Sequence, residues 1–165
     1  MHRRTFGMFC VALLAAANAA LACDSMPDSY GPWLGSNKPV QSEDVKLKSP
    51  FGMVFHPLLK EKRMHTGVDW VADLGTPIGA AGGGKVIAAE RRGAYGNIVL
   101  IDHGSGHQTL YAHLLEFSVS PGNCVEFGTI IGKVGATGLV AEPLLHFEVH
   151  ENGQPVDPLA VPTRQ

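Results

Sequence analysis

A histidine and an aspartate lie four residues apart in segment 64–70, MHTGVDW. His65 and Asp69 are candidate metal ligands, because imidazole nitrogens and carboxylate oxygens both bind zinc. The glycine and two β-branched residues between them disfavour a helix, so we expect a loop that leads into a strand. A turn-forming aspartate near a surface histidine would show the same spacing. The pair alone therefore does not identify a metal site.

A further candidate ligand lies in segment 144–150, LLHFEVH, where apolar and polar residues alternate. Alternation with period two predicts a strand. His146 on this strand would join His65 and Asp69 as a third ligand. Two histidines and one aspartate, with one coordination position open, match a catalytic zinc site rather than a closed structural one. His150 would lie roughly 13 Å from His146 along a strand, too far to share one metal ion.

Another histidine, His113, lies in the second half of a predicted hairpin. Segment 96–102, GNIVLID, is apolar on both faces, as expected for a central strand, and a glycine-rich turn connects it to segment 108–114, QTLYAHL. Strict alternation in the second strand would place His113 on one face with Thr109 and Tyr111. His113 could then point into a polar groove, although a surface histidine would show the same pattern.

The composition predicts one β-rich domain. The chain has 165 residues, with 20 glycines, 11 prolines and 45% hydrophobic residues, which indicates short strands separated by tight turns. No convincing long amphipathic helix follows the N-terminal region. We therefore expect an all-β fold with a compact antiparallel sheet. Residues 23–48 show no periodicity and are predicted to form an irregular arm, and residues 49–165 the domain.

The first 22 residues have the features of an export signal. Arg3 and Arg4 precede an apolar run over residues 6–17, and Ala22 ends a small-x-small cleavage site. The run is too short to predict a membrane span, so we expect cleavage after Ala22 and a periplasmic or secreted protein without a stable membrane span. General secretion is favoured over twin-arginine export, and lipidation of Cys23 is the less favoured alternative.

Charge and cysteine content restrict the partners further. Loss of residues 1–22 removes two arginines and no acidic residue, which leaves a net charge near −4. No basic patch with interleaved aromatic residues occurs, so we expect no nucleic-acid partner. Cys10 would leave with the signal, while Cys23 and Cys124 would enter an oxidising compartment. Whether these two pair stays open at this point.

Several short motifs, in order and with consistent spacing, resemble the lysostaphin-type zinc metallopeptidases. The matching segments are 63–69 (RMHTGVD), 75–78 (GTPI), 95–97 (YGN), 101–104 (IDHG), 110–114 (LYAHL), 135–138 (GATG), 145–149 (LHFEV) and 152–158 (NGQPVDP). The resemblance implies a compact antiparallel β domain with a substrate groove across the sheet. Family members typically cut peptides of bacterial cell walls, and some instead activate other wall hydrolases.

The resemblance also implies roles for individual residues. His65, Asp69 and His146 would bind Zn²⁺, and His113 would assist catalysis. Active members usually have His-Leu-His where this chain has Leu144-Leu145-His146, so a second catalytic histidine is replaced by Leu144. We therefore expect an exported zinc metalloendopeptidase that hydrolyses peptidoglycan peptides, with activity reduced by the replacement at Leu144. The alternative is a catalytically inactive, zinc-containing module that binds the wall or regulates a hydrolase.

Overall fold

The computed structural model describes residues 34–56 and 60–163, and these residues form an antiparallel β structure. Twelve strands follow one another along the described chain, with one short 3₁₀ turn at Gly93–Tyr95. The strands are β1 Lys46–Ser49, β2 Gly52–His56, β3 Glu61–His65, β4 Val68–Val71, β5 Pro77–Gly79, β6 Gly84–Arg92, β7 Gly96–Gly104, β8 His107–Phe117, β9 Cys124–Val125, β10 Ile130–Val134, β11 Leu144–Glu151 and β12 Gln154–Val156. The all-β prediction is confirmed.

Ten strands form one sheet, whose main path runs β1-β4-β11-β8-β7-β6-β9. Strand β10 pairs with β5 and β8, and β12 pairs with β11, while β2 and β3 form a separate two-stranded sheet. The predicted hairpin is confirmed as β7 and β8, and β7 is central because it also pairs with β6. Among the described residues, no helix is long and apolar enough to cross a membrane.

Strand β8 contributes side chains to hydrophobic clusters on both faces of the sheet. Tyr111 packs in the larger cluster, where its ring lies 5.3 Å from that of Phe147. Leu110 and Ala112 belong to a smaller cluster with Ile98. This distribution follows from the period-two alternation of a strand that is covered on both sides.

The segment before residue 49, expected to form an irregular arm, packs on the domain over the part that the structure describes. Leu34 and Val40 are buried in the larger cluster. Val40 forms an isolated bridge with Ile78, and β1 pairs with β4. These apolar residues are thus buried by contacts with strands that are distant in sequence, and local sequence patterns do not predict such contacts. The proposed signal, residues 1–22, lies outside the described residues.

Cys124 is disulfide-bonded. The other two cysteines of the chain, Cys10 and Cys23, lie outside the described residues. The pairing of Cys124 with Cys23, which the sequence leaves open, therefore stays open.

A buried polar network crosses the interior between β7 and β8. His103 donates from Nδ1 to the Gly83 carbonyl at 2.7 Å, and its Nε2 lies 2.7 Å from the hydroxyl of Thr109. The Thr109 hydroxyl is hydrogen-bonded in turn to that of Tyr111, which accepts the backbone N–H of Ala81. Burial lowers the pKa of His103 to about 4, against a smaller opposing effect of the hydrogen bond to Gly83.

This shift in the pKa of His103 predicts a loss of stability in mild acid. The unfolded chain takes up a proton at His103 near pH 6.5 and the folded chain only near pH 4, so stability is fully present above pH 6.5 and falls as the pH drops towards 4. The total loss is about 3 kcal/mol. We expect His103→Gln to reduce this pH dependence in urea unfolding of metal-free protein. Equal slopes for both proteins between pH 6.5 and 4 would contradict the assignment.

Candidate metal and catalytic site

Pairing of β4 with β11 brings Asp69 and His146 together. The two residues are directly opposite each other in the antiparallel ladder. His65 ends β3, and the two-residue connection through Thr66 and Gly67 turns the chain into β4. The side chains of a cross-strand pair point to the same face, so the carboxylate and the imidazole converge.

The three predicted ligands form one compact group. Nε2 of His65 lies 3.1 Å from Oδ1 of Asp69 and 3.0 Å from Nδ1 of His146. Nδ1 of His146 lies 2.8 Å from the same carboxylate oxygen of Asp69. Of all the described residues, these three form the group of His, Cys, Asp and Glu side chains that could hold a metal ion.

The outer nitrogen of each histidine fixes which nitrogen faces this group. Nδ1 of His65 donates to the carbonyl of Pro50 at 2.8 Å, and Nε2 of His146 lies 2.9 Å from Oε1 of Glu148. Since a carbonyl and a carboxylate can only accept, the inner nitrogen of each ring, when that ring is neutral, is left with a lone pair directed at Asp69. Such outer hydrogen bonds are typical of metal-binding histidines.

The donor set fits a zinc ion. Ligands held at about 2.0–2.1 Å in a tetrahedron lie roughly 3.3 Å apart, close to the separations observed here. Two lone pairs and a carboxylate in such proximity require a cation between them. In the metal-free protein that cation is a proton: burial lowers the pKa of His146, but hydrogen bonds to Asp69 and Glu148 outweigh it and raise the pKa to about 9.

Asp69 responds in the opposite direction. Burial raises the pKa of its carboxyl group, but the interactions with the rings of His146 and His65 more than compensate and hold the pKa well below its usual range. The carboxylate is therefore ionised over the physiological pH range. An ionised aspartate and two oriented imidazoles form a site prepared for a divalent cation.

His113 reaches the site through a β-bulge. The pairing of β7 with β8 shifts register between Asn97 and Val99, whose partners are Leu114 and Tyr111. His113 has φ of +62°, a left-handed conformation that is uncommon outside glycine. The extra residue lets both Tyr111 and Leu114 face the larger core. A bulge re-aims the side chain at its position, and the His113 ring lies 6.0 Å from that of His146.

The expected shared face of Thr109, Tyr111 and His113 is therefore wrong. Thr109 and Tyr111 are buried in the interior, whereas His113 lies half-buried beside His146. Alternation predicts faces only for a regular strand, and the bulge breaks it between Ala112 and Leu114. The residue is nevertheless brought to the site that the sequence analysis assigned to it.

The Thr137 loop holds the His113 ring in place. Nδ1 of His113 donates to the carbonyl of Thr137 at 2.7 Å. The side-chain hydroxyl of Thr137 accepts from the backbone N–H of Asn97 and donates to the carbonyl of Leu114, which anchors the loop on both sides of the bulge. Burial lowers the pKa of His113, so a neutral ring with an unprotonated Nε2 is favoured.

An open cavity of about 250 Å³ adjoins the site. Its lining includes His65, Asp69, His113 and His146, together with Leu144. The hairpin β2–β3 and the loop before β11 supply further, mostly apolar, lining residues: Val54, Phe55, Met64, Leu139, Val140 and Ala141. Leu144 is only 2% exposed, so it occupies its position as a packed side chain rather than as a free surface residue.

Glu148 was missed as a site residue by the sequence analysis. It lies on the same face of β11 as His146 and His150, and its carboxylate is hydrogen-bonded to both rings. The signal was present: a carboxylate between two histidines at period two, within an apolar strand, must find polar partners when buried.

Residues 63–158 match the model of peptidase family M23. This match covers more than half of the chain, and the chain belongs to peptidase family M23. The lysostaphin-type resemblance is thereby confirmed.

Two curated relatives and one solved structure show the degree of similarity. The chain is 48% identical over 117 residues to the DD-carboxypeptidase/endopeptidase Mpg of Neisseria meningitidis serogroup B, covering 71% of this chain and 27% of that protein. It is 38% identical over 102 residues to the peptidoglycan DD-endopeptidase ShyA of Vibrio cholerae, covering 62% and 24%. A zinc-containing peptidase from Vibrio cholerae has a TM-score of 0.73 at 32% identity, covering 81% and 41%. The chain thus spans about a quarter of these curated relatives.

Gly67 allows the close approach of the β3–β4 connection to β11. A Cβ atom at this position would lie 2.3 Å from the backbone carbonyl oxygen of Phe147. Since that oxygen belongs to a central strand, the connection that carries His65 and Asp69 would have to move. The glycine of the HTGVD segment therefore serves the geometry of the ligands.

We expect Gly67→Ala to lower the free energy of unfolding by about 1–3 kcal/mol and to weaken zinc binding. Gly122→Ala is the control, because its Cβ would meet nothing within 4 Å while its φ of +92° makes the substitution strained. Unfolding by urea and competition with a zinc chelator measure the two effects. Equal zinc affinities for Gly67→Ala and Gly122→Ala would contradict the role of the close approach.

Proposed function

We propose that this protein is an exported zinc metalloendopeptidase that hydrolyses peptide bonds in bacterial peptidoglycan. The observation that carries the proposal is the convergence of His65, Asp69 and His146 beside His113 in an open cavity. Membership of family M23 supports peptidase chemistry. The names of the curated relatives support peptidoglycan as the substrate class.

His65, Asp69 and His146 would hold the zinc ion. Zinc at this position would polarise a scissile carbonyl and lower the pKa of a water molecule to about 7. The three side chains leave one side of the group facing the cavity, where a peptide could enter. The outer ring nitrogens of His65 and His146 contact the Pro50 carbonyl and Glu148, which leaves the inner nitrogens facing the zinc position.

His113 would act as the general base and then as the general acid. Its Nδ1 is committed to the carbonyl of Thr137, so Nε2 is the nitrogen available to the reaction. Because burial lowers the pKa of His113, this nitrogen is unprotonated near neutral pH and can accept a proton from the attacking water. The same ring could then donate that proton to the leaving amine.

Leu144 limits the reaction. A leucine cannot donate a hydrogen bond or accept a proton, so the cavity wall beside His146 contributes no second acid or base from this position. Loss of one such group typically costs a factor of about 10² to 10⁴ in rate. Enzymes commonly provide about 10⁶-fold or more, so the proposed enzyme retains slow hydrolysis.

Export completes the proposal, since peptidoglycan lies outside the cytoplasm. Its support is the sequence of residues 1–22, with Arg3 and Arg4 before an apolar run and a cleavage site at Ala22. A periplasmic or secreted location follows from it. Detection of mature protein beginning at Cys23 in the extracytoplasmic fraction would test this part.

Release of free amines from purified peptidoglycan is the test of activity. We expect zinc-loaded protein to release amines slowly and His65→Ala to release none, because removal of the imidazole takes away one of three ligands. Zinc content is measured for both proteins before the assay. Absence of release from wild-type protein that demonstrably holds zinc would contradict the peptidase proposal.

Restoring an imidazole at position 144 tests the limiting role of the leucine. We expect Leu144→His to raise the rate of amine release about tenfold or more, since its side chain would enter the cavity next to His146. Leu139→His is the matched control, because Leu139 also lines the cavity but lies on the preceding loop. Equal rates for the two variants would show that position 144 has no special place in the reaction.

A second function is favoured by the buried Leu144. A domain that holds zinc and binds wall peptides without cutting them would use the same ligands and the same cavity. Such a module could anchor to peptidoglycan or regulate a wall hydrolase. Zinc-loaded protein that sediments with peptidoglycan but releases no amines would support this function over the first.

A further inference from the structure

Glu148 is a buried carboxylate near the site that is hydrogen-bonded to four side chains. Its side chain is only 2% exposed. Oε1 receives the Thr66 hydroxyl at 2.5 Å and the Tyr95 hydroxyl at 2.8 Å, and lies 2.9 Å from Nε2 of His146. Oε2 lies 2.5 Å from Nε2 of His150. Four groups therefore converge on one carboxylate.

These partners come from separate elements that surround His146. Thr66 belongs to the connection that directly follows His65, and Tyr95 ends the 3₁₀ turn before β7. His150 lies on β11 itself, on the face that also carries Glu148. The carboxylate thus connects three segments next to the proposed ligand His146: β11, the β3–β4 connection and the turn before β7.

We propose that Glu148 is a positioning residue: it holds His146 as the Nε2–H tautomer with Nδ1 facing His65 and Asp69. This inference rests on the metal centre proposed above. Glu148 itself would contact neither substrate nor metal. It would act only through His146, whose ring lies between the carboxylates of Asp69 and Glu148.

The chemistry of the contact allows one arrangement. A carboxylate has no proton to donate, so Nε2 of His146 must carry the hydrogen. The other tautomer would set a nitrogen lone pair against Oε1 at 2.9 Å and would direct an N–H into the ligand group. Hydrogen bonds from Thr66, Tyr95 and His150 compensate the buried charge and prevent the carboxylate from rotating away.

Glu148→Gln tests this role with almost no change in side-chain size. An amide is neutral and carries two donors, so it weakens the acceptor for Nε2–H and can present its NH₂ group to the ring instead. Loss of such an outer partner typically weakens metal binding about 10–100-fold. We expect that increase in the zinc Kd, measured by chelator competition on the full protein.

Thr109→Val is the matched control for general destabilisation. Thr109 is fully buried and hydrogen-bonded, but its partners His103 and Tyr111 lie outside the metal site. We expect this variant to lose stability and to keep the wild-type zinc Kd within about twofold. An unchanged Kd in Glu148→Gln, or equal changes in both variants, would overturn the role of Glu148.

A spectroscopic measurement on the wild-type protein covers the case in which Glu148→Gln does not fold. Nitrogen-15 spectra of the zinc-loaded imidazoles report which ring nitrogen carries the proton. We expect Nε2–H for His146 and Nδ1–H for His65; a proton on Nδ1 of His146 would overturn the proposal. Wild-type protein that binds no zinc at all would overturn the metal centre itself, which distinguishes that failure from failure of Glu148 alone.

Discussion

The antiparallel pairing of β11 with β4 on one side and β8 on the other is the constraint on which the site depends. His146 is opposite Asp69 in one ladder and opposite Ala112 in the other. The first pairing brings two candidate ligands together across neighbouring strands. The second brings the bulge at His113 within 6.0 Å of the His146 ring. A shift of one residue in either register would turn these side chains to opposite faces of the sheet.

The electrostatic arrangement around His146 follows from this framework. Its two ring nitrogens each lie within 3 Å of a carboxylate, Asp69 on the inner side and Glu148 on the outer side. Burying two carboxylates on opposite sides of one imidazole ring is unfavourable unless positive charge lies between them. The metal-free protein meets this requirement by protonating His146, and a divalent cation would meet it at the inner side. The site is therefore organised for a cation in either state.

Leu144 contributes an apolar side chain to the cavity wall beside the candidate ligands. It packs as a buried side chain next to apolar residues of the loop before β11. The orientation of His113, the proposed acid-base group, depends on the Thr137 loop. Lys48 of β1 forms an ion pair with Glu142, which ties the loop before β11 to the strand at the sheet edge. The N-terminal segment therefore contributes to the wall of the cavity.

The sequence alone determined the fold class, the strand that carries His146 and the identity of the candidate ligands. It could do so because period-two alternation and clustered glycines are local properties of the chain. The division at residue 49 followed local patterns as well, and it did not include the burial of Leu34 and Val40, which results from contacts with distant strands.

Only the tertiary structure decided how the site is completed. The bulge that redirects the His113 side chain arises from a register shift between β7 and β8, and no sequence pattern within β8 predicts it. The role of Glu148 depends on donors from Thr66 and Tyr95, which lie 82 and 53 residues away in sequence. Ligand identity is thus readable from residue type and spacing, whereas ligand orientation depends on hydrogen bonds between segments that meet only when the sheet has formed.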